Sequence, residues 1–248
     1  MQAFHGDKAV QTYFVNRVRA HRIAGEIIQN YYWGGGRGCA VGCTIHGTDL
    51  LTYERELGIP ANLASLKDRV FEGMPLPDAI RWPEEFLLAI RPGADLSNVW
   101  PQFAVWLLEH PADGVIQYAN TEGTRRVIQG VANLYRQRGS DTNESRWRAE
   151  AHWATEEAAK EVAAAKQVAN GVASRAACLA AAETAEAAAI AHWAEARRAA
   201  RWVAEASESA AVAEATAEGA AWTEVAVGVA ADAYLRQSLK LRDLLRAA

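Results

Sequence analysis

No proline follows Pro111, and from Asp141 to the end of the chain more than a third of the residues are Ala. Ala has the best intrinsic helix propensity and proline is the strongest helix breaker, so a stretch this long is most stable as helix. Only Gly171, Gly219 and Gly228 interrupt it, which predicts two or three long helices. Trp147, Trp153, Trp193, Trp202 and Trp222 stand against this background, and Ala151-His152-Trp153-Ala154 returns as Ala191-His192-Trp193-Ala194, a pattern expected of a degenerate repeat. Ala faces let helices approach closely while Trp fills the wider gaps, so the region reads first as a packing surface and a homo-oligomer contact. Its last turns carry Leu235, Leu239, Leu241, Leu244 and Leu245 beside Arg236, Lys240, Arg242 and Arg246. That amphipathic end is expected to dock on the rest of the protein rather than on a membrane.

Upstream, apolar residues at Val10, Phe14, Val18, Ile23, Ile27 and Tyr31 follow a helical stripe and predict a first helix from about Lys8 to Tyr32. Thr48 or Asp49 is placed to cap a segment ending at Leu57, closed by Gly58-Ile59-Pro60. Further helices are expected over Asn62 to Glu72, Pro83 to Ile90, Ser97 to Glu109 and Val115 to Arg138. No run alternates with period two between turn signals, so no strand is expected. The reading is an all-α fold, a helical N-terminal bundle followed by long Ala-rich helices, divided into residues 1–140 and 141–248.

A formal net charge of −4 and a pI near 5.9 offer no bulk attraction for polyanions, so general nucleic-acid binding is not expected. No apolar run approaches the roughly 18 residues needed to cross a bilayer, and the opening residues lack the basic-then-apolar layout of a secretion signal. Three cysteines, Cys39, Cys43 and Cys178, are too few and too odd in number for a bridged framework. A cytoplasmic location without a membrane partner is the expectation.

Chemistry-bearing residues concentrate near the start. Trp33-Gly34-Gly35-Gly36-Arg37-Gly38-Cys39 places several glycines around one Arg, leaving main-chain N–H groups able to converge on an anion. The string lacks the Gly-Lys-Ser/Thr ending of a Walker loop and the preceding strand of a dinucleotide-binding fingerprint. Tyr13, Arg17 and His21 recur at four-residue intervals and so share one helix face. Arg17, His21 and Arg37 are expected to meet anionic oxygens, Gly34 to Gly38 to donate N–H groups, and Tyr13, Tyr32 or Trp33 to stack on a base. Asp68 and Glu72, one helical turn apart, could take a ribose hydroxyl, and Cys39 and His46 complete the candidate set. Cys39, Cys43 and His46 have a C-x3-C-x2-H spacing that could serve zinc, but small buried thiols between Gly and Ala ordinarily serve packing. No cofactor and no resident metal are expected. A non-enzymatic binder of a small anionic, nucleotide-like ligand is the first reading. The alternatives are a metal-dependent hydrolase using His21, His46, Asp68 and Glu72, and a purely structural assembly protein.

Gly38-Cys39-Ala40-Val41-Gly42-Cys43-Thr44, with Glu56-Leu57-Gly58-Ile59-Pro60, Phe71-Glu72-Gly73 and the Ala- and Trp-rich tail, resembles a group of bacterial and phage proteins with no assigned activity. A phage setting implies a role in sequestering a nucleotide immune signal, as a counter-defence protein.

Overall fold

The computed structural model of the chain describes residues 1–119, 121–137, 149, 152, 153, 156, 160 and 224–248. Over these residues the fold is all-α with a helical bundle, and the only ladder among them is a two-residue hairpin. The chain forms two compact units, residues 1–100 with 234–248, and residues 101–233.

In the first unit, α1 (Lys8–Ala24) begins at Asp7, whose carboxylate accepts the Ala9 N–H at 2.7 Å. It stops at Gly25, held at φ 70° with its N–H returned to the carbonyls of His21 and Arg22, as a left-handed cap requires. The expected continuation to Tyr32 is therefore corrected. Ile27 continues the helical stripe in spacing, yet it is buried as part of an extended stretch bridged to Gly38. The chain then forms β1 (Trp33–Gly34), β2 (Arg37–Gly38) and the single turn α2 (Gly42–Ile45).

Asp49 caps α3 (Leu50–Leu57) by accepting Leu51 N–H at 3.0 Å, and Gly58 at φ 63° closes it. Pro60 leads into α4 (Ala61–Gly73), and α5 (Leu76–Ala79) leads to α6 (Trp82–Ala89), with Pro83 in its first turn, where its missing N–H costs nothing. The bounds of α3, α4 and α6 lie within a residue or two of the sequence expectation, which contained no helix at α5. The core is drawn from Phe14 and Val18 of α1, Leu63, Leu66, Val70 and Phe71 of α4, and Trp82 and Phe86 of α6. Polar contacts fix α1 on α6: Gln11 Nε2 donates to the carbonyls of Leu87 at 3.0 Å and Ile90 at 2.7 Å. Arg19 and Arg22 both reach Glu84, at 2.8 and 3.0 Å.

α7 (Val99–Glu109) carries the chain into the second unit. There the helix expected over Val115 to Arg138 is two pieces, a 3-10 turn at Val115–Tyr118 and α8 (Glu122–Gln137). Thr121 caps α8, its hydroxyl accepting Thr124 N–H at 3.0 Å. α8 buries Val127, Ile128, Val131, Leu134 and Tyr135, and Arg136 pairs with Glu109. The Trp153 ring lies across Gly130, 2.9 Å from where a Cβ would stand. Trp147, Trp193, Trp202, Trp222 and the second Ala-His-Trp-Ala string lie outside the described residues.

α9 (Glu224–Ala247) returns the chain to the first unit. Tyr234 covers Gly73, at the end of α4, so closely that its ring occupies the place of a Cβ. Leu241 and Leu245 are buried, and Arg242 pairs with Glu85 at 3.2 Å. The amphipathic end of the chain thus docks on its own bundle. Among the described residues no helix is long and apolar enough to cross a membrane.

Candidate functional site

The glycine segment is built for close approach. Trp33 pairs with Gly38 and Gly34 with Arg37, and Gly35 and Gly36 form the turn at φ 58° and 81°, the positive values that a two-residue hairpin loop of the primed type demands. Gly38 N–H donates to Glu26 O at 3.0 Å, Ile28 N–H to Gly38 O at 2.9 Å, and Cys39 N–H to Tyr32 O at 3.1 Å. The Gly38 amide expected to face an anion is therefore spent within the protein. A side chain on Gly38 or on Gly42 would collide with the Tyr32 carbonyl oxygen, which accounts for glycine at both places. Gly35, Gly36, Arg37 and Tyr32 are exposed.

The hairpin sets Trp33 beside α1 and the end of α2. His46 caps α2 at φ 53°, a left-handed conformation that few side chains adopt. Its imidazole lies parallel to the Trp33 indole, 4.7 Å between centroids and 8° between planes. His21, from α1, meets both rings edge-on, at 5.6 Å from Trp33 and 5.0 Å from His46. The two imidazoles face each other through Nε2 at 2.8 Å, while His21 Nδ1 lies 2.6 Å from Glu26 Oε2. An ionised Glu26 fixes the Nδ1–H tautomer of His21 and leaves its Nε2 as a lone-pair donor. Arg17 donates to Thr44 O at 3.0 Å and to the Tyr13 hydroxyl, with its guanidinium 4.6 Å from the Tyr13 ring centre. Partial desolvation of its ring against its neighbours, reinforced by the charges of Arg17 and His21, holds the otherwise exposed His46 below the ordinary histidine range. Four sequence candidates, Arg17, His21, Trp33 and His46, are thus gathered from three separate elements.

Beneath this cluster lies a polar support absent from the sequence expectation. Lys67 of α4 is fully buried and donates from Nζ to Ala40 O at 2.9 Å, Thr44 Oγ1 at 2.9 Å and Tyr53 OH at 3.2 Å. Burial lowers its ammonium to about 8 against the partial opposition of Asp68. Burial likewise pushes the Tyr53 phenol up, and the Cys43 thiol up to about 11. Cys43 donates to Gly38 O at 3.2 Å. The α2 turn that presents Thr44 and His46 is therefore fastened from below by Lys67.

Cys39, Asp68 and Glu72 form a second group, their ligand atoms within 4.8 Å of one another. Among the described residues this is the one set of three or more groups near enough to share a metal ion. Each of the three also has protein partners. Burial raises the Cys39 thiol and Asp68 raises it further by charge and hydrogen bonding. Asp68 accepts Val41 N–H at 3.3 Å, and Glu72 accepts Asn30 N–H at 2.6 Å. Cys39, Cys43 and His46 do not converge as a ligand set, and neither His21 nor His46 joins Asp68 and Glu72. A cleft of about 300 Å³ between Glu85, Leu88, Ala89, Arg242 and Arg246 contains none of the candidate residues.

The residues that sequence reasoning missed are Glu26, Thr44, Tyr53 and Lys67. Glu26 was open to inference, because a left-handed glycine one position before it folds the next residues back on the last turn of α1, where His21 sits. No local signal marks Lys67 as buried. No protein-family description, curated protein or solved structure matches the chain.

Proposed function

We propose that the chain is a non-enzymatic binding protein for a small anionic, nucleotide-like ligand, received at Arg17, His21, Trp33 and His46. The observation that carries this reading is the parallel Trp33–His46 pair with a second imidazole edge-on to both rings, and with Arg17, held on the Thr44 carbonyl, near enough to act on His46 by charge. Flat rings suit a base and the Arg17 guanidinium suits phosphate oxygens, with the imidazole Nε2 edges joining it once the His21–His46 contact opens. Tyr13, which contacts Arg17, and Tyr32, which precedes Trp33, are exposed and supply further aromatic surface. Gly35, Gly36 and Arg37 at the hairpin tip add main-chain donors and one more positive charge. Asp68 and Glu72 support the fold around Cys39 in this reading and do not contact the ligand. In a phage setting such uptake would remove a nucleotide immune signal by sequestration.

Isothermal titration of the full chain against mono-, di- and cyclic nucleotides and ADP-ribose derivatives tests the reading. Saturable heat is expected with at least one of them, reduced at least tenfold in affinity by Trp33→Ala and by Arg17→Ala. Silence across the whole panel, or unchanged affinity in both substituted chains, overturns it.

A further inference from the structure

We propose that His21 and His46 form a surface site for a divalent transition-metal ion of the zinc, nickel or copper kind, bound through both Nε2 atoms. Water or a small anion would fill the remaining positions. The inference takes His21 and His46 from the same site but does not rest on the nucleotide reading.

Three observations carry it. The two Nε2 atoms point at each other across 2.8 Å. Two imidazoles that share a metal at about 2.0–2.1 Å in tetrahedral geometry stand about 3.3 Å apart at nitrogen, so the ion is admitted when the pair opens by about half an ångström, both rings tilt until their lone pairs converge, and His46 passes to its Nδ1–H tautomer, its Nε2 proton being exchanged through solvent. The far nitrogen of His21 is engaged by Glu26 at 2.6 Å, the carboxylate–histidine arrangement that orients a ligating ring and raises its basicity. Finally, His46 is held in advance: its backbone is left-handed, its ring rests on Trp33, and the turn that carries it is tied down through Thr44 by Lys67. A single neutral hydrogen bond between imidazoles is a small return for a residue held in a left-handed backbone conformation and supported from below.

The donor set selects the metal. Two imidazole nitrogens suit zinc, nickel and copper(II) and do not suit magnesium or calcium, which take oxygen ligands. The charges near the pair are Glu26, behind His21, and Arg17, whose guanidinium is held by Thr44 O and Tyr13. The carboxylate offsets the incoming cation, and the guanidinium favours an anion in an open coordination position. His46 is exposed, and the His21 side chain is 12 % exposed, so the ion can enter from solvent.

The test uses metal alone, with no nucleotide in any sample. Full-length protein titrated with Zn2+ is expected to bind at this site with a saturable heat. The Cu2+-loaded protein should give an electron paramagnetic resonance spectrum split by two imidazole nitrogens. His46→Gln and His21→Gln should each weaken binding at least tenfold, and Glu26→Gln by about 10- to 100-fold, with helical circular dichroism unchanged. The nitrogen count is read on the unaltered chain, so it decides the matter even where a substituted chain fails to fold. Absence of saturable binding, splitting by a single nitrogen, or full affinity in folded His21→Gln and His46→Gln chains would overturn the proposal.

Discussion

The carbonyl oxygen of Tyr32 occupies the position that a Cβ on Gly42 would take. The same oxygen accepts Cys39 N–H at 3.1 Å, so it cannot move without releasing the turn between the hairpin and α2. Gly42→Ala is therefore expected to lower unfolding stability by roughly 3 kcal/mol or more, the upper range for overpacking. Urea unfolding followed by tryptophan fluorescence checks it, and a loss under about 1 kcal/mol would show that the turn yields easily.

Lys67 gives stability an alkaline signature. Between its folded value of about 8 and its unfolded value of 10.5, the unfolded chain holds a proton that the folded chain has released. Stability then rises with pH by at most about 1.4 kcal/mol per unit. From the ordinary thiol value of 9.0 upward the sign reverses. Cys39 and Cys43 keep their protons in the fold while their unfolded counterparts ionise, and Tyr53 adds to this above 10.0. A shallow maximum near pH 9 is expected, because Lys67 adds about 1 kcal/mol from pH 8 while ionisation of the two thiols in the unfolded chain offsets most of it, leaving a gain of a few tenths of a kcal/mol. Lys67→Met should lose the rising limb and keep the falling one. Urea midpoints at pH 7, 8, 9 and 10 measure both, and identical profiles for the two chains would refute the assignment.

Glu84 joins Arg19 and Arg22 to the start of α6, with its side chain 12 % exposed and theirs 44 % and 34 %. Because both arginines stay partly solvated when the carboxylate is lost, the effect of Glu84→Gln should be moderate, about 1–2 kcal/mol. The difference should shrink as salt is raised from 50 to 500 mM. A melting temperature equal to that of the unaltered protein at low salt would show that the pair of bridges contributes nothing.

Tyr234 is buried to 1 % exposure against Gly73. Tyr234→Ala should cost about 3–5 kcal/mol, as large aromatic deletions do, and should make residues 234–248 an early target of limited proteolysis. Unchanged cleavage kinetics would mean that Leu241, Leu245 and the Arg242–Glu85 pair suffice to hold the helix.

What was legible in the sequence was local. Asp49, Gly58, Pro60 and Pro83 act within a turn of where they stand, and the elements that they bound are where the sequence puts them. Arg17 and His21 could be recognised because four-residue spacing fixes a common face. The hairpin could not, since two-residue strands are too short to show alternation, and a stripe extended to Tyr31 concealed the stop at Gly25. Lys67 and Tyr53 escaped for a different reason. Their partners lie in other elements, Ala40 and Thr44 for Lys67, and a buried lysine looks in sequence like any surface one.

The seating of Tyr234 on Gly73 has a consequence for how the protein is made. The core of residues 1–100 is completed only once α9 has been synthesised, and at about 5–20 residues per second the intervening stretch imposes a wait of roughly 7–27 seconds. During that interval the end of α4 at Gly73 lacks the Tyr234 ring that covers it in the complete fold. A chain stopped before residue 234 would leave Gly73 uncovered and the core of residues 1–100 without Tyr234, Leu241 and Leu245.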